Sequence, residues 1–218
     1  MNSVKVGVVG CGYWGTKHIV NLRRLGVNVV TCDVDGTQDY KSSDDMYRHE
    51  QLDAVTICTS HQSLVTEALK AINHRVPALV EKPLATNSFD AWKIKAASEA
   101  VNSLVMPGFI ERFNANLTSS NHTLIRKGPP FKDRDLIWDL LIHDIDLARF
   151  LHMEVATFDC AWSTQKRRTF HDDGDSLYRE LKHFLRCVKG FEKPLVTVDD
   201  AVQAVIIAEN VSENASFS

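Results

Sequence analysis

What this 218-residue chain lacks narrows its function before any motif is read. No apolar run is long enough to span a bilayer, so no membrane partner is expected. There is no CxxC pair. The five cysteines, Cys11, Cys32, Cys58, Cys160 and Cys187, are scattered and odd in number. That pattern fits reduced thiols in a cytoplasm better than disulfides or zinc. Charge of one sign is also missing. A formal net charge of −3 offers neither the basic surface that nucleic acid needs nor a polybasic membrane patch. The opening MNSVKVGVVG lacks the charged-then-apolar layout of a signal peptide and reads as a strand, so the expected location is cytoplasmic. His171, Asp172 and Asp173 stand without another ligand cluster and read as loop residues, so no metal is expected. Internal repeats and low-complexity tracts are absent too. What remains is an ordinary globular composition, 44% hydrophobic and 24% charged, long enough for one large domain or two small ones.

The first half alternates short apolar runs with helical patterns. VKVGVVG, VNVVTCDVD, DAVTICTS, PALVEKP and SLVMPGFI read as five strands. Between the third and fourth, Leu64, Ala68, Leu69 and Ile72 recur at helical spacing, and SFDAWKIKAASEA after the fourth is a helix that Ser88 can cap. Nearly continuous apolar strands alternating with helices predict a doubly wound parallel sheet, covered on both faces.

GCGYWG, Gly10 to Gly15, fits G-x-G-x-x-G, directly after a strand and at the start of a helix. In that setting Gly10 permits the tight turn, Gly12 lets a pyrophosphate approach the backbone, and Gly15 lets helix and strand pack closely. The helix N-terminus adds favourable charge for a phosphate. A glycine-rich turn without a ligand, or a methyltransferase-like site, is the weaker alternative. Asp33 ends the second strand, where an acid would hydrogen-bond the adenosine ribose hydroxyls and repel a 2′-phosphate, favouring NAD over NADP. Asp35 is its rival. Cys11 reads as a small filler. Tyr13 and Trp14 either cover the cofactor or pack on the sheet.

Glu-Lys-Pro-Leu occurs twice, at residues 81–84 and 192–195. The first copy leaves a buried strand at the carboxyl edge of the predicted sheet, where open α/β sheets bind ligands. The second follows a helix ending at Gly190 and precedes a helix cap. Position alone therefore assigns chemistry to Lys82 and a solvated turn to Lys193.

The second half is less regular. DLIWDLLIHDIDLARFL has helical spacing, VATFDCAWST reads as a strand, and SLYRELKHFLRCVKG places Leu177, Leu181, Phe184, Leu185 and Val188 on one helix face. TVDDAVQAVIIAENV reads as a closing helix capped by Thr197, with Asp199 and Asp200 in its first turn. Asp139 and His143 are four apart and share a helix face. Such pairs are often mere surface decoration. A histidine there can also take a hydroxyl proton, because it titrates near neutral pH.

In that order, GCGYWG, VEKPLA, GFIERFN and DLIWDLLIHDID resemble the Gfo/Idh/MocA oxidoreductases, and KGFEKPLVTVDDAVQAVIIAENV is similar to that family's closing helices. The resemblance implies a Rossmann domain over residues 1–112. It implies a second α+β domain over 113–218, built on a mostly antiparallel sheet, with closing helices packed back on the first domain. It implies an NAD(P)-dependent dehydrogenase acting on a secondary hydroxyl of a sugar, cyclitol or nucleotide sugar, in a homo-oligomer. UDP-N-acetylglucosamine oxidised at C3 is the specific expectation, with inositol and other sugars, or a non-catalytic dinucleotide-binding regulator, as alternatives. Lys82, Asp139 and His143 take the catalytic positions. Gly10, Gly12, Tyr13, Trp14, Gly15, Asp33, Thr59, Ser60, Glu81 and Lys82 take the cofactor-binding ones. Three positions depart from the pattern. Ser60 stands where Pro is frequent, Leu64 where His is common (His61 is a possible substitute), and Ala115 where Pro follows ERFN.

The second half is also short for that family. Only Phe113 to Arg134 and Leu151 to Ser176 are left to carry most of a large sheet. A lone strand leaves its backbone groups unpaired. This predicts omitted sequence, with joints in LTSSNHT, KGPPFKDRD or TFHDDGDS.

Overall fold

The computed structural model describes residues 4–115, 117, 137–151 and 174–214. Five short apolar segments form β1 (Lys5–Val9), β2 (Asn28–Cys32), β3 (Ala54–Ile57), β4 (Ala78–Glu81) and β5 (Val105–Gly108). They pair in parallel in the order β2-β1-β3-β4-β5. The chain reverses direction across the sheet at β1, which places a crevice at the carboxyl ends of β1 and β3. Every residue of β3, β4 and β5 is buried. Both faces are therefore covered, as a near-continuous apolar strand requires.

The helices before residue 110 are α1 (Tyr13–Arg24), α2 (Ser43–His49), α3 (His61–Asn73) and α4 (Ser88–Val101). In α3, Leu64, Ala68 and Ile72 are buried as predicted, and Leu69 packs at the margin of the core. α2 does not stand out in the sequence: its SDDMYRH is mostly polar, and only Ser43, Met46 and Tyr47 are buried. The cap of α4 is Asn87 rather than Ser88. Asn87 has extended backbone, and its side chain accepts from Asp90 N at 2.8 Å. Ser88 instead gives its own N–H to Glu209 at 3.2 Å.

After β5 the chain makes a 3₁₀ turn, Ile110–Phe113. DLIWDLLIHDIDLARFL is not one uniform helix. It begins with a π turn, Ile137–Leu141, and continues as α5 (Ile142–Phe150). α6 (Ser176–Val188) buries Leu177, Leu181, Phe184 and Leu185 and packs on α1 and the 3₁₀ turn. Its end is closed by Gly190 at φ +72, with Phe191 N bonded to Arg186 O at 2.9 Å. α7 (Val198–Asn214) packs on α4 and α5. Thr197 caps it, accepting from Asp200 N at 3.2 Å, while Asp200 accepts from Thr197 N at 2.9 Å.

A buried ion pair ties these later elements together. Arg112 of the 3₁₀ turn donates to Asp146 of α5 at 2.8 and 2.6 Å, and both side chains are almost fully buried. The same guanidinium reaches Leu195 O at 3.0 Å and Asp200 of α7 at 3.2 Å. The strand expected in VATFDCAWST and the residues His171, Asp172 and Asp173 lie outside the described residues. The suggested joints lie almost wholly there too.

Candidate active site

The glycine loop follows β1. Gly10 sits at φ +86, and a Cβ there would lie 2.7 Å from the Cys58 carbonyl carbon. At Gly15 a Cβ would come within 1.8 Å of Gly10 O, so α1 starts against the loop only because residue 15 has no side chain. Gly12 differs: a Cβ there would meet nothing within 4 Å. Gly12 also begins α1 without any side-chain cap, and no acid sits in the first turn. The first N–H groups of α1 thus face open space with a favourable dipole, which fits a pyrophosphate.

Asp33 lies just past β2, and its carboxylate accepts from Cys11 N at 2.6 Å. The strand and the glycine loop are thereby joined. Asp35 turns elsewhere, accepting from Thr37 N at 2.9 Å and from the Thr37 hydroxyl. Cys11 fills space beside β2, and burial pushes its thiol up to about 11. Tyr13 and Trp14 do not pack on the sheet. They stand exposed, edge to face at 5.8 Å, with Lys17 about 4.2 Å above the Tyr13 ring. Thr59 and Ser60 follow β3 at the same edge, with Ser60 at the N-terminus of α3.

Glu81 and Lys82 leave β4 in different directions. Lys82 is largely buried and reaches the π turn, where Nζ lies 2.5 Å from Asp139 Oδ1 and 2.7 Å from the Asp139 carbonyl. The wider π turn presents a main-chain carbonyl as well as a side chain to one ammonium. His143 lies four residues on, buried, with its ring edge-on to Phe109 at 6.3 Å. Lys82, Asp139 and His143 thus come from the end of β4 and from the π turn and α5. Glu81 points instead toward α1. Its Oε1 lies 2.9 Å from His18 Nε2, and its Oε2 accepts from Lys82 N at 3.2 Å. His18 is fully buried and was not singled out by any sequence motif.

The second Glu-Lys-Pro copy is built differently. Glu192 folds onto α6, 2.7 Å from His183 Nδ1 and paired with Arg186, while Lys193 is exposed. A cavity of about 450 Å³ opens between α3, the π turn and α7, lined by His61, Gln62, Thr86, Trp138, Glu209 and Ser212. It borders the turn carrying Asp139 but includes neither Lys82 nor His143.

Residues 4–109 match the Gfo/Idh/MocA family model, described as an oxidoreductase family with an NAD-binding Rossmann fold. They belong to that family. The Gfo/Idh/MocA domain of this chain is accordingly an NAD-binding one. An inositol 2-dehydrogenase of Cereibacter sphaeroides is 30% identical over 183 residues, covering 68% of this chain and 54% of the relative. A myo-inositol 2-dehydrogenase of Thermotoga maritima is 25% identical with the same coverage. The chain therefore spans about half the length of the curated relatives it matches. Among solved structures, a UDP-N-acetylglucosamine 3-dehydrogenase of Acidithiobacillus ferrooxidans superimposes with a TM-score of 0.75 at 16% identity, over 98% of this chain and 97% of that one. An Agrobacterium radiobacter oxidoreductase crystallised with NAD+ and L-tartaric acid gives 0.73 at 16%, over 98% and 97%. At such identity these two show the fold.

Proposed function

We propose that this protein is an NAD-dependent dehydrogenase that oxidises a secondary hydroxyl of a cyclitol or sugar. The observation that carries the reading is Lys82 held at 2.5 Å from Asp139 at the carboxyl edge of the sheet, with His143 on the same helical segment. NAD held by the Gly10–Gly15 loop and Asp33 would supply the acceptor for the hydride of the carbinol carbon. His143 takes the hydroxyl proton, and the Lys82 ammonium donates a hydrogen bond to the same oxygen. Asp139 orients Lys82. Burial of Lys82 and His143 keeps water from competing for these bonds.

Asp33 supports NAD over NADP, because a carboxylate bonded to the glycine loop would repel a nearby 2′-phosphate. The inositol 2-dehydrogenases among the relatives favour a cyclitol as substrate; a nucleotide sugar such as UDP-N-acetylglucosamine is the second reading, supported by the matching fold. The test is NADH absorbance with purified full-length protein, myo-inositol, free sugars and UDP-N-acetylglucosamine. Turnover that Lys82→Ala removes supports the reading. Tight NAD binding with no turnover on the whole panel would favour a dinucleotide-binding regulator instead.

A further inference from the structure

Behind Lys82 lies a group of buried titratable side chains that the chemistry above does not use. Glu180 sits on the apolar face of α6, between Leu177, Leu181 and Phe184, and is fully buried. Neither of its carboxyl oxygens has a hydrogen-bond partner among the described residues. His18 sits on the buried face of α1, also fully buried, and its Nδ1 is likewise unpartnered among them. α1 and α6 pack against each other. Arg24, at the end of α1, reaches Asp175 at 3.2 Å and lies 4.7 Å from the Tyr178 ring, which fixes how the helices meet.

The protonation states of these groups are complementary. His18 Nε2 faces a carboxylate, so it carries the ring proton, and Nδ1 is left as an acceptor. An ionised Glu180 would need donors that its surroundings do not supply. Burial and the negative charges of Glu81 and Asp146 hold its carboxyl well above the usual range, and burial beside Glu81 and Glu180 likewise pushes the Cys58 thiol up. Arg112, the nearest guanidinium to Asp146, is committed to Asp146 and Asp200. The O–H of a neutral Glu180 has nothing among the described residues to accept it, and Nδ1 of His18 is an acceptor with no donor among them. The arrangement with Glu180 neutral carries one charge, on Glu81. An imidazolium between two carboxylates would carry three in a dry site.

We propose that Glu180, as a neutral carboxylic acid, is linked through one water to Nδ1 of His18, completing a buried chain Glu180–His18–Glu81 that positions Lys82. The final link is the bond from Lys82 N to Glu81 Oε2. The sheet makes room for it: a Cβ on Gly108, opposite Glu81 in register, would lie 3.2 Å from Glu81 Cδ. Glu180, His18 and Glu81 are positioning residues, and this role rests on the reading of Lys82 as the group that meets the substrate hydroxyl.

Nitrogen-15 imidazole spectra of the full chain test the link, with Glu180→Leu and Glu180→Gln alongside. Wild type should show His18 neutral, protonated on Nε2, with a hydrogen-bonded Nδ1. Glu180→Leu should move the Nδ1 resonance toward that of a free acceptor nitrogen. Glu180→Gln, whose carboxamide still donates, should largely preserve it. An imidazolium, an Nδ1–H tautomer, or no response to Glu180→Leu would overturn the chain. With a substrate in hand, Glu180→Leu should lower kcat by about tenfold with little change in the KM for NAD, as loss of an orienting partner does, and Glu180→Gln should recover most of it. Equal kcat in all three proteins would refute the positioning role. If wild type turns over nothing, the dehydrogenase reading fails, while the spectra still decide the chain.

Discussion

Removing Asp146 should damage this protein more than removing Arg112, although the two form one ion pair. Both side chains are almost wholly excluded from water, 3% exposed for Arg112 and 1% for Asp146. Burial pushes the Asp146 carboxyl up to about 6 even with Arg112 at 2.6 Å, so desolvation outweighs the attraction. That imbalance makes the two deletions unequal. In Arg112→Met the stranded carboxyl can neutralise itself by taking a proton. In Asp146→Leu the stranded guanidinium cannot lose one. It keeps Leu195 O and the partly exposed Asp200, but loses both bonds to Asp146. Breaking a buried pair by removing one partner typically costs about 3–5 kcal/mol, against a total stability of about 5–15. Asp146→Leu should fall in that range, a drop of roughly 6–20 °C in Tm, and Arg112→Met clearly below it. The double variant Arg112→Met/Asp146→Leu should recover to within about 1–2 kcal/mol of wild type, since an apolar pair leaves no charge behind. Urea unfolding at neutral pH, followed by circular dichroism, measures all four proteins as a double-mutant cycle. The reasoning is refuted if Arg112→Met is the worse single variant, or if the double variant is no better than Asp146→Leu.

Three more expectations can be measured. Lys82→Ala should cut turnover by about a hundredfold or more, while Lys193→Ala should shift stability by no more than about 0.5 kcal/mol and leave rate alone; comparable rate losses in both would sink the assignment. Asp33→Ser should narrow or reverse a preference for NAD(H), read by calorimetry, and tighter NADP(H) binding by the unaltered protein would contradict it. The folded pKa of Glu180 is raised, so its contribution is fully present below about pH 4.5 and declines as pH rises toward the folded value. Glu180→Gln removes that decline, so its stability relative to wild type should grow as pH rises above about 4.5; parallel stability curves would count against a neutral Glu180.

Much of the Rossmann half can be read from the sequence, because its signals are local. A buried parallel strand must be apolar almost throughout, and GCGYWG carries its own strand and helix on either side. The two Glu-Lys-Pro copies were separable for the same reason: one leaves an apolar strand, the other follows a glycine helix stop. The unread features are those in which a polar residue breaks an apolar pattern. Glu180 interrupts the stripe formed by Leu177, Leu181 and Phe184, and attention to the apolar positions passes over it. A glutamate within such a stripe is itself the signal. His18 and Arg112 are similar: their partners lie 63 and 34 residues away, beyond the reach of any local pattern. The π turn escaped because Ile137, Leu141 and Ile145 keep a helical apolar spacing while the backbone widens beneath them. α2 escaped because seven mostly polar residues owe their helix to the packing of Met46 and Tyr47.

Lys82 holds both the Asp139 side chain and its main-chain carbonyl, and the second contact does not depend on which residue stands at 139. Every amino acid supplies a carbonyl. The lysine can therefore keep its place while the neighbouring side chain drifts to an amide, a hydroxyl or nothing at all. A lineage built this way can vary position 139 one substitution at a time, without first dismantling the place of the lysine.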